Sequence, residues 1–163
     1  MNILFRSLKV TRSSLDFNRH VNNLEYLKWM QEAAIMHSTR LGWPPSRYIE
    51  SGYSWVVGSH FIQYLRPAFE DEQLGIITWV SELHSRMLRR QYWCVNKKTG
   101  KILAKAETQW VFVNGKSGKP CRIVDELRKD YIVVVNEEEV REFLQNMLKL
   151  SPENDDANPS NEE

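Results

Sequence analysis

Asn22-Asn23-Leu24-Glu25-Tyr26-Leu27-Lys28-Trp29-Met30-Gln31-Glu32-Ala33-Ala34-Ile35-Met36-His37-Ser38-Thr39-Arg40-Leu41-Gly42, followed by Trp43-Pro44-Pro45, is the stretch on which the architecture turns. Leu24, Leu27, Met30, Ala33, Ala34 and Leu41 recur at helical spacing. Glu25, Lys28 and Glu32 leave only a narrow polar stripe. Tyr26, Trp29, Ile35 and Met36 widen the apolar surface beyond one face. A helix this apolar is expected to be enclosed by other structure. Asn22 is the expected N-cap, with Glu25 three residues on, as in a capping box. Gly42 suits the left-handed position after the last turn, and Pro44-Pro45 forbid continuation.

Outside this stretch the apolar period becomes two. Asn2 to Val10 reads as a strand, and Arg12 to Val21 as polar and irregular. After a loop through Tyr48 to Tyr53, strands are expected over Ser54 to Leu65, Leu74 to Leu83, Met87 to Val95 and Ile102 to Val113. Asn96-Lys97-Lys98-Thr99-Gly100 is a hairpin connection in which glycine supplies positive φ. Such short connections require antiparallel neighbours, because parallel pairs need long crossovers. Val124 to Asp130 suits a short helix and Asn136 to Leu150 an amphipathic one, with Val140, Phe143, Leu144 and Met147 on one face. From Ser151 the chain is acidic and apolar-poor, so residues 151–163 are expected to be a disordered tail behind a single domain of residues 1–150. One apolar helix and one long curved sheet bury each other only if the sheet wraps the helix. The expected fold class is therefore α+β, in the hotdog arrangement. It leaves strand edges and an outer sheet face to cover, which favours a homodimer and leaves a homotetramer open.

The chain has 163 residues, with 22 Lys plus Arg against 21 Asp plus Glu. So balanced a charge gives no field for nucleic acid or an anionic membrane. Two cysteines, Cys94 and Cys121, make no disulfide scaffold and are expected to be reduced thiols. No Cys/His spacing suits a zinc site, and no metal is expected. Met1 to Val10 carries Arg6 and Lys9 and lacks a long apolar core. Neither a signal peptide nor a membrane span is expected, and the compartment is expected to be the cytoplasm.

The approach to the helix, Asp16-Phe17-Asn18-Arg19-His20-Val21-Asn22-Asn23, is where chemistry is expected. A helix N-terminus exposes unpaired amides and the positive end of the dipole, which stabilise developing negative charge. A nearby carboxylate can act as base toward water or attack a carbonyl itself. By residue type alone, ordinary loop and capping roles are the stronger reading. The run Asp16-x-Asn18-x-His20-Val21-Asn22-Asn23-x-x-Tyr26, however, resembles the signature of hotdog thioesterases. It is similar both to acyl-ACP thioesterases and to the 4-hydroxybenzoyl-CoA thioesterase family. His60-Phe61-Ile62-Gln63-Tyr64-Leu65-Arg66-Pro67-Ala68, followed by Asp71, looks like a second family segment. The resemblance covers roughly Phe5 to Leu127.

That resemblance implies hydrolysis of an acyl-CoA or acyl-ACP thioester. Asp16 would be base or nucleophile, and the Asn23 amide would polarise the carbonyl. Asn18 and His20 would position or activate the attacking group. Tyr26 matches the family's aromatic early in the helix. His60 is either an acyl-pocket residue or a packing histidine. Arg86, Arg89 and Arg90 form the densest basic cluster, able to receive the phosphates of coenzyme A or phosphopantetheine. Arg89 and Arg90 point to opposite faces of a regular strand and cannot both line one pocket. No cofactor is expected beyond the thiol carrier in the substrate. The alternatives are a hotdog hydroxyacyl dehydratase, which pairs a loop His with a helix carboxylate, and a non-catalytic acyl-binding hotdog protein. Arg19 and His20 depart from the 4-hydroxybenzoyl-CoA type, and Arg66-Pro67 replaces the Glu-Cys pair of the acyl-ACP type.

Overall fold

A computed structural model describes residues 1–150, so the expected acidic tail lies outside the described residues. Strand β1 (Ile3–Lys9) and a single 3-10 turn (Arg12–Ser14) precede helix α1 (Asn23–Arg40). A short helix α2 (Pro45–Ser51) leads into β2 (Tyr53–Tyr64), β3 (Gln73–Leu83), β4 (Met87–Asn96) and β5 (Ile102–Asn114). Helices α3 (Asp125–Arg128) and α4 (Glu137–Leu148) complete the described chain. The sheet order is β1-β3-β4-β5-β2, with every neighbour antiparallel. This is the α+β architecture expected from the sequence.

The sheet packs its inner face on α1. Tyr26, Trp29, Met30, Ala33 and Ala34 share one buried cluster with Leu4, Leu74, Ile76, Tyr92, Cys94, Leu103 and Ala106. Cys94 is buried and free, and burial pushes its thiol up to about 12, so it packs rather than reacts. The other sheet face is not bare. Helix α4 lays Val140, Phe143, Leu144 and Met147 over Ile3, Phe5, Ile77, Trp79 and Trp93. A third cluster joins Trp43, Val80, Leu88, Phe112, Ile123, Leu127 and Tyr131 beside the C-terminal end of α1.

Three local expectations are corrected. The helix is not enclosed all round: Leu24 is 73% exposed and Ile35 53%. Leu24 lies in the first turn, before the buried run begins at Tyr26, and Ile35 lies away from the sheet. The N-cap is Asn22, whose side chain accepts from the Leu24 amide at 2.9 Å, but Glu25 returns no side-chain bond among the described residues. Glu25 instead gives its backbone amide to the Asn22 carbonyl, at 2.9 Å. The Pro-Pro step does end α1, yet Pro45 opens α2, because proline at the first helical position sacrifices an amide that has no helical partner anyway. Gly42 and Gly52 take the positive φ that closes the two helices, at 91° and 79°. Among the described residues no helix is long and apolar enough to cross a membrane.

Gly75 in β3 lies under the Phe5 ring, which occupies the space a β-carbon would need. Gly75→Val should therefore overpack the α4 side of the sheet and lower stability by about 1–3 kcal/mol. Denaturant unfolding with an unchanged m value checks this.

Candidate active site

Residues 15–21 form a miniature hairpin that holds Asp16 at its base. Leu15 and Val21 pair across it. The Asp16 amide donates to the His20 carbonyl at 2.8 Å, and the Arg19 amide to the Asp16 carbonyl at 3.0 Å. Arg19 takes φ 61°, the left-handed residue that such a tight turn requires. The carboxylate of Asp16 fixes this conformation from inside. Its Oδ1 accepts from the Asn18 amide at 2.9 Å and the His20 amide at 3.3 Å, while Oδ2 has no hydrogen-bond partner among the described residues. Phe17 stands at the tip, 94% exposed.

The hairpin is tied to the helix start. The Val21 amide donates to the Ala68 carbonyl and the Asn22 amide to the Ser14 carbonyl, at 2.9 and 2.8 Å. Once Asn22 has capped the helix, the amide of Asn23 has no acceptor among the described residues. The Tyr64 hydroxyl donates to the Asn23 carbonyl at 3.0 Å, so the end of β2 braces the same turn. Asp16, Asn18, His20 and Asn23 are thus brought together in one loop and helix start. The imidazole of His20 is exposed and packs edge-on against Phe69 with centroids 5.1 Å apart. Tyr26 is a buried packing residue between the rings of Trp29 and Tyr64, at 5.6 and 5.4 Å, and burial raises its phenol well above the usual range.

His60 stands elsewhere on β2. Its Nδ1 bonds the Thr108 hydroxyl at 2.5 Å, and its Nε2 is buried without a partner among the described residues. Burial lowers its pKa. The arginine trio does not form one cluster. Arg86 is exposed in the β3–β4 turn. Arg89 lies on the outer face between Glu82 at 3.6 Å and Glu107 at 3.5 Å. Arg90 is turned to the helix side, 3% exposed, with Nη1 on His37 Nδ1 at 2.9 Å and on Thr78 Oγ1 at 3.1 Å. Strand alternation sends Arg89 and Arg90 to opposite faces, and Arg86 stands apart from both in the turn. Among the described residues no three metal-ligating side chains cluster.

The sequence reading missed a cavity of about 660 Å³ between the C-terminal half of α1, α2 and the beginning of β2. Trp43, Tyr48, Tyr53, Trp55, Trp110 and Tyr131 wall it. A hydroxyl network fixes one side. Tyr131 donates to Ser38 at 2.8 Å, Ser38 and Tyr48 lie 3.0 Å apart, and the Trp55 indole donates to Tyr48 at 3.0 Å. The available signal was Pro45 at a helix start with Gly52 seven residues on, which closes α2 and brings Tyr48 to this wall.

The Thioesterase-like superfamily profile matches residues 10–131, which is most of the chain. The chain belongs to this superfamily. Its sequence is 27% identical over 125 residues to the long-chain acyl-CoA thioesterase FadM of Escherichia coli, covering 75% of this chain and 92% of that one. It is 28% identical over 108 residues to the chloroplastic acyl-[acyl-carrier-protein] hydrolase FATB2 of Cuphea viscosissima, covering 62% of this chain. The aligned segment spans only 26% of that longer relative. The crystal structure of a DHNA-CoA thioesterase from Staphylococcus aureus superposes with a TM-score of 0.73 at 18% identity, over 93% of this chain and 98% of that one. That likeness establishes the hotdog fold.

His37 couples the cavity's cation to stability. Its Nδ1 must accept from Arg90, so in the neutral ring Nε2 carries the proton toward the Met1 carbonyl, 3.2 Å away. Protonating Nδ1 would set two donors face to face. Burial first, then the nearby Arg90, lower its pKa to about 4, with Arg40 and the Met1 amino group adding to the effect. The unfolded chain, with an ordinary histidine near 6.5, therefore binds more protons than the folded one between about pH 6.5 and 4. The stabilisation is complete above 6.5 and is lost as pH falls toward 4, by up to about 3 kcal/mol. His37→Gln should flatten that part of the stability–pH curve, read by denaturant midpoints at pH 7, 5.5 and 4.5.

Proposed function

We propose that the protein hydrolyses acyl thioesters of a pantetheine thiol, the group that coenzyme A and acyl carrier protein both present. The carrying observation is the pairing of a preorganised carboxylate with an unpaired helix-start amide. Asp16 has one oxygen occupied by the loop and the other open, a few residues ahead of the free Asn23 amide at the positive end of an 18-residue helix. The thioester oxygen would rest on the Asn23 amide. Asp16 would either take a proton from the attacking water, or attack the carbonyl itself to give an anhydride that water then opens; in both routes the C–S bond breaks and the thiolate leaves. Asn18 and His20, beside Asp16 in the loop, are assigned to positioning. This chemistry asks for a carboxylate, water and oriented amides. Membership of the superfamily and the kinship to thioesterases named for acyl-CoA and acyl-ACP substrates support the reading.

The working unit is proposed to be a dimer formed along β2. That strand is a sheet edge and exposes Val56, Val57 and Phe61, the last 68% exposed. Open apolar edges invite pairing. Antiparallel pairing of two copies over the full strand sets Tyr53 of one copy beside the partner's Tyr64. The Tyr64 end carries the Asn23 brace and the Tyr53 end carries the cavity. Within one chain those places are far apart, since Asn23 and Ser38 are roughly 22 Å apart along the helix axis. Across the proposed interface, the Asp16 loop of one subunit would serve the cavity of the other.

Asp16→Asn keeps an acceptor for the two loop amides and should leave the melting temperature unchanged. Thiol release from decanoyl-CoA should fall by about 10² to 10⁴ in kcat. Near-normal turnover would overturn the role of Asp16. Val57→Lys with Phe61→Lys places charge on the free edge and should convert a dimer to monomers in sedimentation equilibrium. Activity should be lost along with the dimer.

A further inference from the structure

Arg90 stands out among the charges of the described residues. It is only 3% exposed. Both of its hydrogen bonds leave from Nη1 and end on neutral acceptors, His37 Nδ1 and Thr78 Oγ1. No carboxylate pairs with it among the described residues. Its Nε and Nη2, the side-on edge of the guanidinium, have no protein partner there either. The next residue shows the opposite pattern. Arg89 is far more exposed yet has two carboxylates, Glu82 and Glu107. The chain thus compensates the charge that water could have solvated and leaves the buried one uncompensated. An unpaired buried charge is expensive to hold, so a structure that retains one gains from an anion brought to it.

The cavity that Arg90 lines fits such a guest. Its volume, about 660 Å³, lies in the ordinary range for small-molecule sites. Its walls are largely apolar and include six aromatic residues, Lys116 is a second cation among the lining residues, and none of those residues is Asp or Glu. We propose that this cavity binds an organic acid with an apolar or aromatic body, whose carboxylate is received in bidentate fashion by Nε and Nη2 of Arg90. Such a carboxylate has two sources: the far end of an acyl group that enters as a thioester, or a free acid. Only the thioester source rests on the hydrolase reading given above.

The test uses the full-length protein. Isothermal titration with biphenyl-4-carboxylate and decanoate is compared with the matching neutral amides, biphenyl-4-carboxamide and decanamide. Each acid should bind roughly 10- to 100-fold more tightly than its amide, the range of a charge-assisted hydrogen bond. Arg90→Gln should abolish the difference, and Arg90→Lys should keep part of it. Thermal melts of both variants confirm that they are folded, and the Lys variant keeps the test decisive if Gln fails to fold. In parallel, kcat/KM for the mono-CoA thioester of decanedioic acid is compared with that for decanoyl-CoA. A similar preference for the acidic thioester, lost in Arg90→Gln, supports the acyl source. Acid binding without that preference supports a free acid. Equal affinity for acids and amides, no binding of any of the four, or unchanged discrimination in Arg90→Gln overturns the proposal. Thioester hydrolysis could persist in any of those cases. Conversely, selective acid binding without hydrolysis of either thioester keeps the cavity assignment and removes the hydrolase reading.

Discussion

Everything in this molecule depends on α1 lying along the inner face of one sheet. Tyr26, Trp29, Met30, Ala33 and Ala34 are buried against strands from both halves of the chain. The two alanines at mid-helix let the backbone approach the sheet closely, while Tyr26 and Trp29 fill the space near its start. A helix held this way has few choices about its ends. Its N-terminus emerges where the Asp16 hairpin and the end of β2 meet it, with one amide left over. Its C-terminal half runs out beside α2 and Tyr131, whose aromatic rings meet without filling the space between them. The loop and the cavity are two consequences of one packing interaction.

Much of this could be read from residue order. The change of apolar period from 3.6 to two marked α1 and the four later strands to within a residue or two, because each face is buried against a partner that enforces the alternation. The turn glycines could be read for a different reason: positive φ is a local steric demand, met at Gly42 and Gly100 whatever surrounds them. Helix α2 was hidden by the same local logic. Pro44-Pro45 ends one helix and begins another, and the sequence signal for an end masks the signal for a start. The covering of the outer sheet face was legible only as an amphipathic stripe in Glu137–Leu148, since its target, the Trp79 and Trp93 face, depends on tertiary placement.

The candidate site shows the same division. Asp16, Asn18, His20 and Asn23 are neighbours in sequence and stay neighbours in space, so a sequence pattern could gather them. Arg86, Arg89 and Arg90 are also neighbours in sequence, yet the pleat separates them onto different surfaces. Alternation alone says that Arg89 and Arg90 part company. It does not say which one goes inside, because each strand face carries a mixture of polar and apolar residues. Leu88, Tyr92 and Cys94 decide the matter by packing toward the interior with Arg90. The cavity wall is further from reach, since Ser38, Tyr48 and Tyr131 come from three distant segments and meet only through the hydroxyl network.

The two ends of α1 also differ in what they do to charge, and the difference matches the division of labour proposed for them. At the N-terminus the carboxylate of Asp16 is only half-buried and shares its loop with exposed polar side chains, so water can reach the place where an acyl group would be attacked. At the other end Arg90 sits among aromatic rings, where a low local dielectric strengthens any pairing it makes. Hydrolysis needs water at the scissile bond and gains from its exclusion around the rest of the acyl group. One helix serves both needs by placing its polar start at the rim and its apolar second half in the core. A subunit that pairs along β2 would then join the wet end of one helix to the dry end of another. In such a dimer the exposed edge strand would be as much a part of the proposed site as Asp16, because neither end of one helix would complete the reaction alone.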